Sequence, residues 1–271
     1  MDATLNVTLQ GLLSGQQALP RPLYGRARSL PNQVIAYRHS HPWVQLSYAL
    51  HGVVEVETDW GRFIAPPQRA IWVPAHIEHK VRCTADTRVR SLYVDPAVVP
   101  WGAAHCRVLV VDTLLRELIR RFSQLPVFYD EAGSDGRLAG VLLDQLESAP
   151  EADLMLPFPQ DARLKKICSH LQEDPCSRIA LRQWSSRLSV SEKTLSRIFV
   201  QQTGLSFRLW RQRLRLLSAL PLLERGDRVT DVALACGYDS LSAFIAAFRQ
   251  QFGATPGEFF AGGIDDQAAI T

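Results

Sequence analysis

The stretch Leu195-Ser-Arg-Ile-Phe199-Val-Gln-Gln-Thr-Gly204-Leu-Ser206-Phe-Arg-Leu-Trp210 is nearly repeated as Phe244-Ile-Ala-Ala-Phe248-Arg-Gln-Gln-Phe-Gly253-Ala-Thr255-Pro-Gly-Glu-Phe259. Each copy has a Phe four residues after its first residue, a Gly five residues further on, and then Ser or Thr followed by an aromatic residue. A short helical segment and a turn precede each copy. A short helix, a tight turn and a second amphipathic helix is the helix-turn-helix pattern. Two such units predict a protein that inserts two helices into the major groove of DNA.

The first unit is predicted over residues 181–202. Its leading helix spans Leu181 to Leu188, the chain turns at Ser189-Val190, and Ser191 suits the N-cap of the second helix. Leu195, Ile198 and Phe199 are predicted to be buried. The remaining side of the second helix is predicted to meet DNA through Ser191, Glu192, Lys193, Thr194, Ser196 and Arg197. The sequence leaves open whether Lys193 and Arg197 read bases or bind phosphates.

The second unit is predicted over residues 228–251, with Gly237 in the turn and a helix from Ser240. The residues predicted to face inward are Leu241, Phe244, Phe248 and Phe252. Those predicted to meet DNA are Ser240, Ser242, Ala243 and Arg249. This face carries fewer charges than the first, so we expect it to contribute less to base readout.

A connecting helix is predicted between the two units. Its Arg211, Arg213 and Arg215 either position the DNA backbone or have a structural role. Pro221 falls late in this helix, where the missing N–H is expected to kink or end it.

The charge distribution supports a polyanionic partner for the C-terminal part of the chain. Residues 161–260 hold 15 Lys and Arg against 9 Asp and Glu, whereas the rest holds 15 against 18.

The chain has no apolar run long enough for a membrane span and no secretory start, and its five cysteines form no CxxC pair. We therefore expect a reduced, cytoplasmic protein with no membrane partner.

The N-terminal half indicates a small antiparallel barrel or sandwich. Short strands and turn signals alternate over residues 33–94, as in Val44, Leu46 and Tyr48. Two amphipathic helices follow. Asp112 can cap the first, whose stripe is Leu115, Leu118, Ile119 and Phe122; the second stripe is Leu138, Val141, Leu142, Gln145 and Leu146. These stripes either cover the barrel or pair with a second subunit.

The C-terminal pattern resembles the DNA-binding domain of the AraC/XylS family of bacterial transcription regulators. The resemblance covers about a hundred residues and lies in Trp184–Ser191, Thr194–Phe199, Val232–Ser240, Ser242–Phe244 and Gly253–Pro256. It implies two helix-turn-helix subdomains joined by a long helix. Three positions depart from the family pattern: Ser189 replaces a glycine, Trp184 replaces a leucine, and Pro221 lies within the connecting helix.

The N-terminal half resembles a cupin. His39-Ser-His41-Pro-Trp-Val-Gln45 and Gly52 resemble the first cupin motif, and Gly61, Pro74 and His79 resemble the second. The fold class predicted is therefore α+β. A cupin-like, RmlC-like antiparallel β-barrel (1–108) precedes a helical pair (109–147), a proline-rich linker without secondary structure (148–163) and an all-α domain with two helix-turn-helix units (164–261).

Three roles are open for the barrel histidines. Alternate residues of a strand share a face, so His39, His41 and Gln45 are expected to point inward, with His79 opposite. They line an organic-effector pocket, bind a metal, or are only hydrogen-bonded within the barrel. The neutral Gln45 stands where cupin enzymes have a carboxylate, which disfavours a metal, and no cofactor is expected. The predicted effector-binding residues are His39, His41, Gln45, Trp72 and His79.

The function predicted is that of a cytoplasmic transcription regulator and not an enzyme. It would bind double-stranded promoter DNA as a homodimer, respond to a small effector in the barrel, and act as an activator or a repressor. The alternatives are a metal-dependent cupin enzyme, such as an isomerase or dioxygenase, and a metal-sensing regulator.

Overall fold

The structure is a computed structural model that describes residues 19–29, 35–84, 87–102 and 105–261. The first 18 residues, predicted to belong to the barrel domain, lie outside the described residues. Within the described part, no helix is long and apolar enough to cross a membrane. All five cysteines carry free thiols.

Strands in the N-terminal half form two antiparallel sheets. The first sheet has the order β1-β8-β3-β6-β9 and the second the order β10-β5-β4-β7-β2. The strands are β1 (Leu23–Ser29), β2 (Ile35–His39), β3 (Val44–His51), β4 (Val54–Glu57), β5 (Gly61–Ala65), β6 (Arg69–Val73), β7 (His79–Cys83), β8 (Arg88–Val94), β9 (Arg107–Val110) and β10 (Met155–Pro157).

The two sheets pack face to face as a sandwich. Ala49 and Ile71 of the first sheet are buried in one cluster with Val54, Val56 and Val81 of the second. This confirms the antiparallel, cupin-like fold class, and of the predicted barrel or sandwich the structure has the open sandwich. Among the described strands, each sheet keeps two edges, β1 and β9 in the first and β10 and β2 in the second.

Two helices, α1 (Thr113–Phe122) and α2 (Ser134–Ser148), cover the outer face of the first sheet. Asp112 caps α1 as predicted, accepting from the Leu115 amide at 2.8 Å. Ile119 and Leu142 are buried in one cluster with Leu46 and other residues of the sheet, so the helices do cover the sandwich. Val141 is 46% exposed, contrary to its predicted place in the buried stripe. Ala139 is buried instead, because the small residue lets α2 approach closely.

The segment predicted as an unstructured linker contains a strand. β10 pairs with β5, matching Met155 to Phe63 and Pro157 to Gly61. Leu154 and Leu156 are buried. The expectation that residues 148–163 lack secondary structure is therefore wrong. Proline is tolerated here because β10 is an edge strand, where a missing N–H can face away from the ladder.

The C-terminal part is helical. Its helices are α3 (Ala162–Glu173), α4 (Leu181–Leu188), α5 (Glu192–Thr203), α6 (Phe207–Glu224), α7 (Val229–Ala235), α8 (Leu241–Phe252) and α9 (Pro256–Ala261). The pairs α4–α5 and α7–α8 are the two helix-turn-helix units, and α6 connects them. Pro221 lies inside α6, which continues to Glu224, so the proline does not end the helix. The loss of one hydrogen bond is offset there by buried leucines on both sides, Leu220 and Leu223.

Candidate DNA interface and histidine cluster

The first helix-turn-helix unit is built around a left-handed turn. Ser189 ends α4 with φ 52° and ψ 41°. Ser191 then caps α5, its hydroxyl accepting from the Thr194 amide at 3.1 Å. On the inner side of α5, Leu195 and Phe199 are fully buried, and Ile198 is nearly so, as predicted. The turn and the cap together set the direction in which α5 leaves the core.

The opposite side of α5 is open to solvent. Ser191, Glu192, Lys193, Ser196 and Arg197 are exposed, and Thr194 is half-buried. Among the ion pairs of the described residues, none involves Lys193 or Arg197. The two cations are therefore available to a partner outside the chain.

The second unit has the same construction. Gly237 lies in the turn with φ 76°, and the Ser240 hydroxyl caps α8, accepting from the Ala243 amide at 3.2 Å. Phe244 and Phe248 are fully buried. The predicted DNA-facing residues are exposed: Ser240, Ser242, Ala243 and Arg249.

Leu241 was predicted to face inward, but it is 38% exposed. Leu241 is the first residue of α8, and the first residue of this helix that is buried in the core is Phe244. The exposed face of α8 therefore carries the apolar side chain of Leu241, which the helical periodicity had placed in the interior. Such a group can contact the methyl of thymine in the major groove.

The arginine side chains of the connecting helix α6 form hydrogen bonds and an ion pair with other segments of this chain. Arg211 donates to the Ser177 carbonyl at 2.6 Å, and Arg213 pairs with Asp153. Arg215 donates to the carbonyls of Pro175 at 2.8 Å and Gly237 at 3.1 Å. Burial lowers the pKa of Arg211 and Arg213 from the usual value. Of the two roles left open by the sequence, these contacts support the structural one, and Arg215 links the loop before α4 to the turn of the second unit.

Three histidines meet at one end of the sandwich. His39, the last residue of β2, lies directly opposite His79, the first residue of β7. His41 follows β2 in the connection to β3, and Gln45 extends from β3 of the other sheet. One ligand nitrogen from each histidine lies within 4.8 Å of the others. The ring centroids are 4.3 Å apart for His39 and His79, and 5.1 Å apart for His41 and His79.

The hydrogen bonds of the cluster orient its rings. The His79 Nδ1 lies 2.8 Å from the Ile77 carbonyl, and the His41 Nδ1 lies 2.8 Å from the Trp43 carbonyl. The other nitrogen of His41, Nε2, lies 2.9 Å from the Gln45 Oε1. Burial lowers the pKa of all three histidines, that of His79 to about 4. All three imidazoles are therefore neutral at neutral pH, which leaves a lone pair on each ring.

Trp72 does not belong to this site. Its side chain is buried on the outer face of the first sheet, where Nε1 donates to the Gly102 carbonyl at 2.8 Å and the ring stacks on Trp101. Its neighbours Ile71 and Val73 point into the sandwich instead. Side chains alternate along a strand, so Trp72 must point away from the histidines. In the sequence, the apolar residues Ile71 and Val73 on either side of Trp72 were the sign that Trp72 points to the opposite face of the sheet.

The sandwich and the helical reader are in direct contact. The Glu224 carboxylate, 7% exposed at the end of α6, accepts from the Gly52 amide at 2.6 Å and lies 3.2 Å from the His51 Nδ1. The Trp210 Nε1 donates to the Pro157 carbonyl at 2.7 Å. These contacts hold α6 against strand β10 of the second sheet and against the turn between β3 and β4.

A chain of hydrogen bonds also joins the histidine end of the sandwich to α5. Arg38, next to His39, pairs with Asp59, whose carbonyl accepts from the Gln160 Nε2 at 2.7 Å. The backbone amides of Gln160 and Asp161 both donate to the Gln202 Oε1 at 2.8 Å. Gln202 lies in the last turn of α5.

A ligand-binding sandwich joined to two helix-turn-helix units defines the class of ligand-responsive DNA-binding regulators. The family model of the AraC-like ligand binding domain matches residues 22–146, and that of a helix-turn-helix domain matches residues 184–262. The chain is 36% identical to the HTH-type transcriptional regulator NimR of Escherichia coli (strain K12), over 82% of this chain and 81% of the relative. The chain belongs to the AraC family of transcription regulators.

Other similar proteins match more narrowly. The HTH-type transcriptional activator RhaS of Klebsiella pneumoniae (strain 342) is 35% identical over 97 residues, 35% of each chain. A solved structure of ToxT from Vibrio cholerae is 10% identical, with a TM-score of 0.38 over 89% of this chain and 98% of that one.

Proposed function

We propose that α5 and α8 insert into successive major grooves of a promoter. The observation that carries the proposal is the exposed, uncompensated face of α5, which follows a capped turn in a helix-turn-helix unit. The connecting helix α6 has 18 residues and is therefore about 27 Å long, which places the two units at separate positions along the domain. Base contacts come from α5, and the equally long but less charged α8 adds shape and apolar contacts.

The test is promoter binding by the full chain with single substitutions, using a duplex selected from a random-sequence pool. Each of Arg197→Ala and Lys193→Ala should weaken binding by about 1–3 kcal/mol if the side chain reads a base. If the side chain binds phosphate, the slope of log affinity against log salt should fall by about one. Arg82→Ala, an exposed arginine on β7 of the second sheet, is the matched control and should change neither quantity. Unchanged affinity and unchanged slope in both α5 variants would contradict the assignment.

We propose that the effector binds at the histidine end of the sandwich, among His39, His41, Gln45 and His79. This placement is supported by neutral ring nitrogens without protein partners and by the hydrogen bonds that lead from Arg38 to Gln202. An effector that moves β2 would therefore act on the last turn of α5. A promoter-fused reporter in cells with and without candidate effectors would show the sign of regulation.

We infer that two copies of the chain act together through the outer surfaces of α1 and α2. Leu114 and Val141 are exposed apolar residues on these helices. Analytical ultracentrifugation of the full chain should give a dimer that Leu114→Glu with Val141→Glu converts to a monomer. A wild-type monomer at micromolar concentration would refute the inference.

We infer a regulatory and not an enzymatic role for the sandwich. Its match to a ligand-binding domain of regulators and its contact with the DNA reader favour this role over that of a cupin isomerase or dioxygenase.

A further inference from the structure

Two glutamines occupy the same place in the two copies of the repeat. Gln202 follows Phe199 by three residues in α5, and Gln251 follows Phe248 by three residues in α8. Each glutamine is the last residue but one of its helix. Because both phenylalanines are fully buried, the two amide side chains leave equivalent points at the C-terminal ends of the two reader helices, α5 and α8.

Both glutamines bind the segment that contains β10. The Gln202 Oε1 accepts from the backbone amides of Gln160 and Asp161, each at 2.8 Å. The Gln251 Nε2 donates to the Asp153 carboxylate at 3.2 Å. One reader helix is thus attached to each end of this segment. Gln160 follows Asp153 by seven residues, so the backbone at these two attachment points is at most about 25 Å apart.

Between its two attachment points, the segment is part of the sandwich. β10 pairs with β5, and the Ile64 amide donates to the Leu154 carbonyl at 3.0 Å. Gly61 of β5 permits this close approach, because a Cβ at that position would lie 2.6 Å from the Leu156 carbonyl oxygen. The sensor domain therefore holds the strand to which both reader helices are attached.

The connecting helix α6 does not by itself fix the angle between the two units. Pro221 lies inside this helix and has no N–H to donate to the carbonyl four residues earlier. Helices bend most readily at such a proline. The first unit precedes Pro221 and the second follows it, so a bend there changes the angle between α5 and α8. Arg215, which donates to the Gly237 carbonyl at 3.1 Å, is one contact across this point, and β10 provides a second.

We propose that Gln202 and Gln251 are positioning residues that fix the angle between the two reader helices through β10. A displacement of β10 in the sensor would then act on both reader helices at once, and not only on α5. The meaning of this arrangement for promoter binding rests on the proposed function. The angle itself can be measured without DNA, so the two proposals can fail separately.

The primary test measures the distance between α5 and α8 in the full chain without DNA, by double electron–electron resonance. Nitroxide labels carried by unnatural residues at the exposed positions of Ser196 and Ser242 leave the native cysteines untouched. The wild type should give one narrow distance distribution. Gln202→Leu combined with Gln251→Leu should broaden the distribution, because both attachments are lost. Gln202→Glu alone should keep the wild-type distribution, since a carboxylate accepts from the same two amides.

Gly61→Ala tests the same arrangement from the sensor side. The added methyl group should displace β10 from β5 without changing a residue of either reader helix, and should broaden the distribution as the leucine variants do. The matched controls are the neighbouring exposed glutamines, Gln201 and Gln250, whose replacement by leucine should leave the distribution unchanged. Circular dichroism shows whether each variant is folded, and the leucine variants decide the matter if Gly61→Ala is not.

The functional test is the tolerance of binding to the spacing of the two subsites in the selected duplex. One base pair inserted between the subsites should weaken wild-type binding by roughly 10-fold or more, the order of a lost base contact. The double leucine variant should show a smaller penalty for the insertion, and Gln202→Glu should show the wild-type penalty. The ratio of the two affinities is the quantity compared, so a uniform change in affinity does not affect it.

A distance distribution that is the same in the wild type and the double leucine variant would overturn the positioning role. So would equal broadening in the Gln201 and Gln250 controls. Salt-sensitive duplex binding that persists in either case would leave the proposed function standing. Conversely, a distribution that responds as expected in a chain that binds no duplex would contradict the proposed function and support the positioning of the two helices.

Discussion

Ser189 shows how one residue can carry strain at a functional turn. It has a positive φ of 52°, a conformation that side-chain-bearing residues adopt at a cost of roughly 1–2 kcal/mol. It stands where the family resemblance expects glycine. The turn keeps its geometry because Val190 N donates to the Ser185 carbonyl at 3.1 Å and α5 is anchored by buried residues. The orientation of the first reader helix is therefore maintained against a local preference.

Ser189→Gly should stabilise the protein by up to about 1 kcal/mol, because relief of the left-handed strain exceeds the added entropy of the unfolded chain. Urea unfolding of the full chain measures the difference. Ser189→Val should have the opposite sign, since a β-branched residue fits this conformation worst. Equal stability of the glycine and valine variants would show that the turn is not strained.

At the scale of elements, α6 is the part that joins sensor to reader. It contacts the sandwich near both of its ends, through Trp210 at the strand β10 and Glu224 at the turn between β3 and β4. Its arginines hold the loop before α4 and the turn of the second unit. A movement of the sandwich can thus reach both helix-turn-helix units through one rigid helix.

Glu224→Ala should lower the free energy of unfolding by about 1.5–3 kcal/mol, the range for hydrogen bonds to a charged group. The substitution leaves the Gly52 amide without its partner. Glu173→Ala, at the exposed end of α3, is the control and should change stability by less than about 0.5 kcal/mol. A Glu224 variant as stable as this control would indicate that the carboxylate does not hold α6 in solution.

At the scale of the whole molecule, the two domains share one apolar cluster. Residues inside the sandwich such as Val56, Leu156 from the predicted linker, and residues of the reader such as Trp210 and Phe248 are contiguous in it. Asp153, just before β10, accepts from Gln251 of α8 at 3.2 Å and pairs with Arg213 of α6. The segment between the domains is therefore a structural joint.

Asp153→Ala should destabilise the full chain by about 1–3 kcal/mol, because the largely buried Arg213 guanidinium loses its carboxylate. The cost is measured by urea unfolding. Double substitution with Arg213→Met should recover part of it, since the unpaired charge is then removed. A double variant less stable than both single variants would contradict the pairing as the source of the cost.

Local patterns in the sequence determined the helical reader and the strand alternation of the sensor. The caps at Asp112, Ser191 and Ser240, and the buried face of α5, depend only on residues within a few positions of one another, so periodicity and side-chain chemistry suffice. The same holds for the repeat that predicts two helix-turn-helix units.

Only the tertiary structure decided which distant segments meet. The pairing of β10 with β5, the outward side of Trp72, the exposure of Val141 and Leu241, and the contact of Glu224 with Gly52 all depend on partners elsewhere in the chain. The histidine motif suggested a site, but His39 lies opposite His79, and His41 contacts Gln45 of the other sheet, only once the sheets are packed. Burial and hydrogen-bond partners are properties of the folded chain, and they decide the chemistry that the same residues can perform.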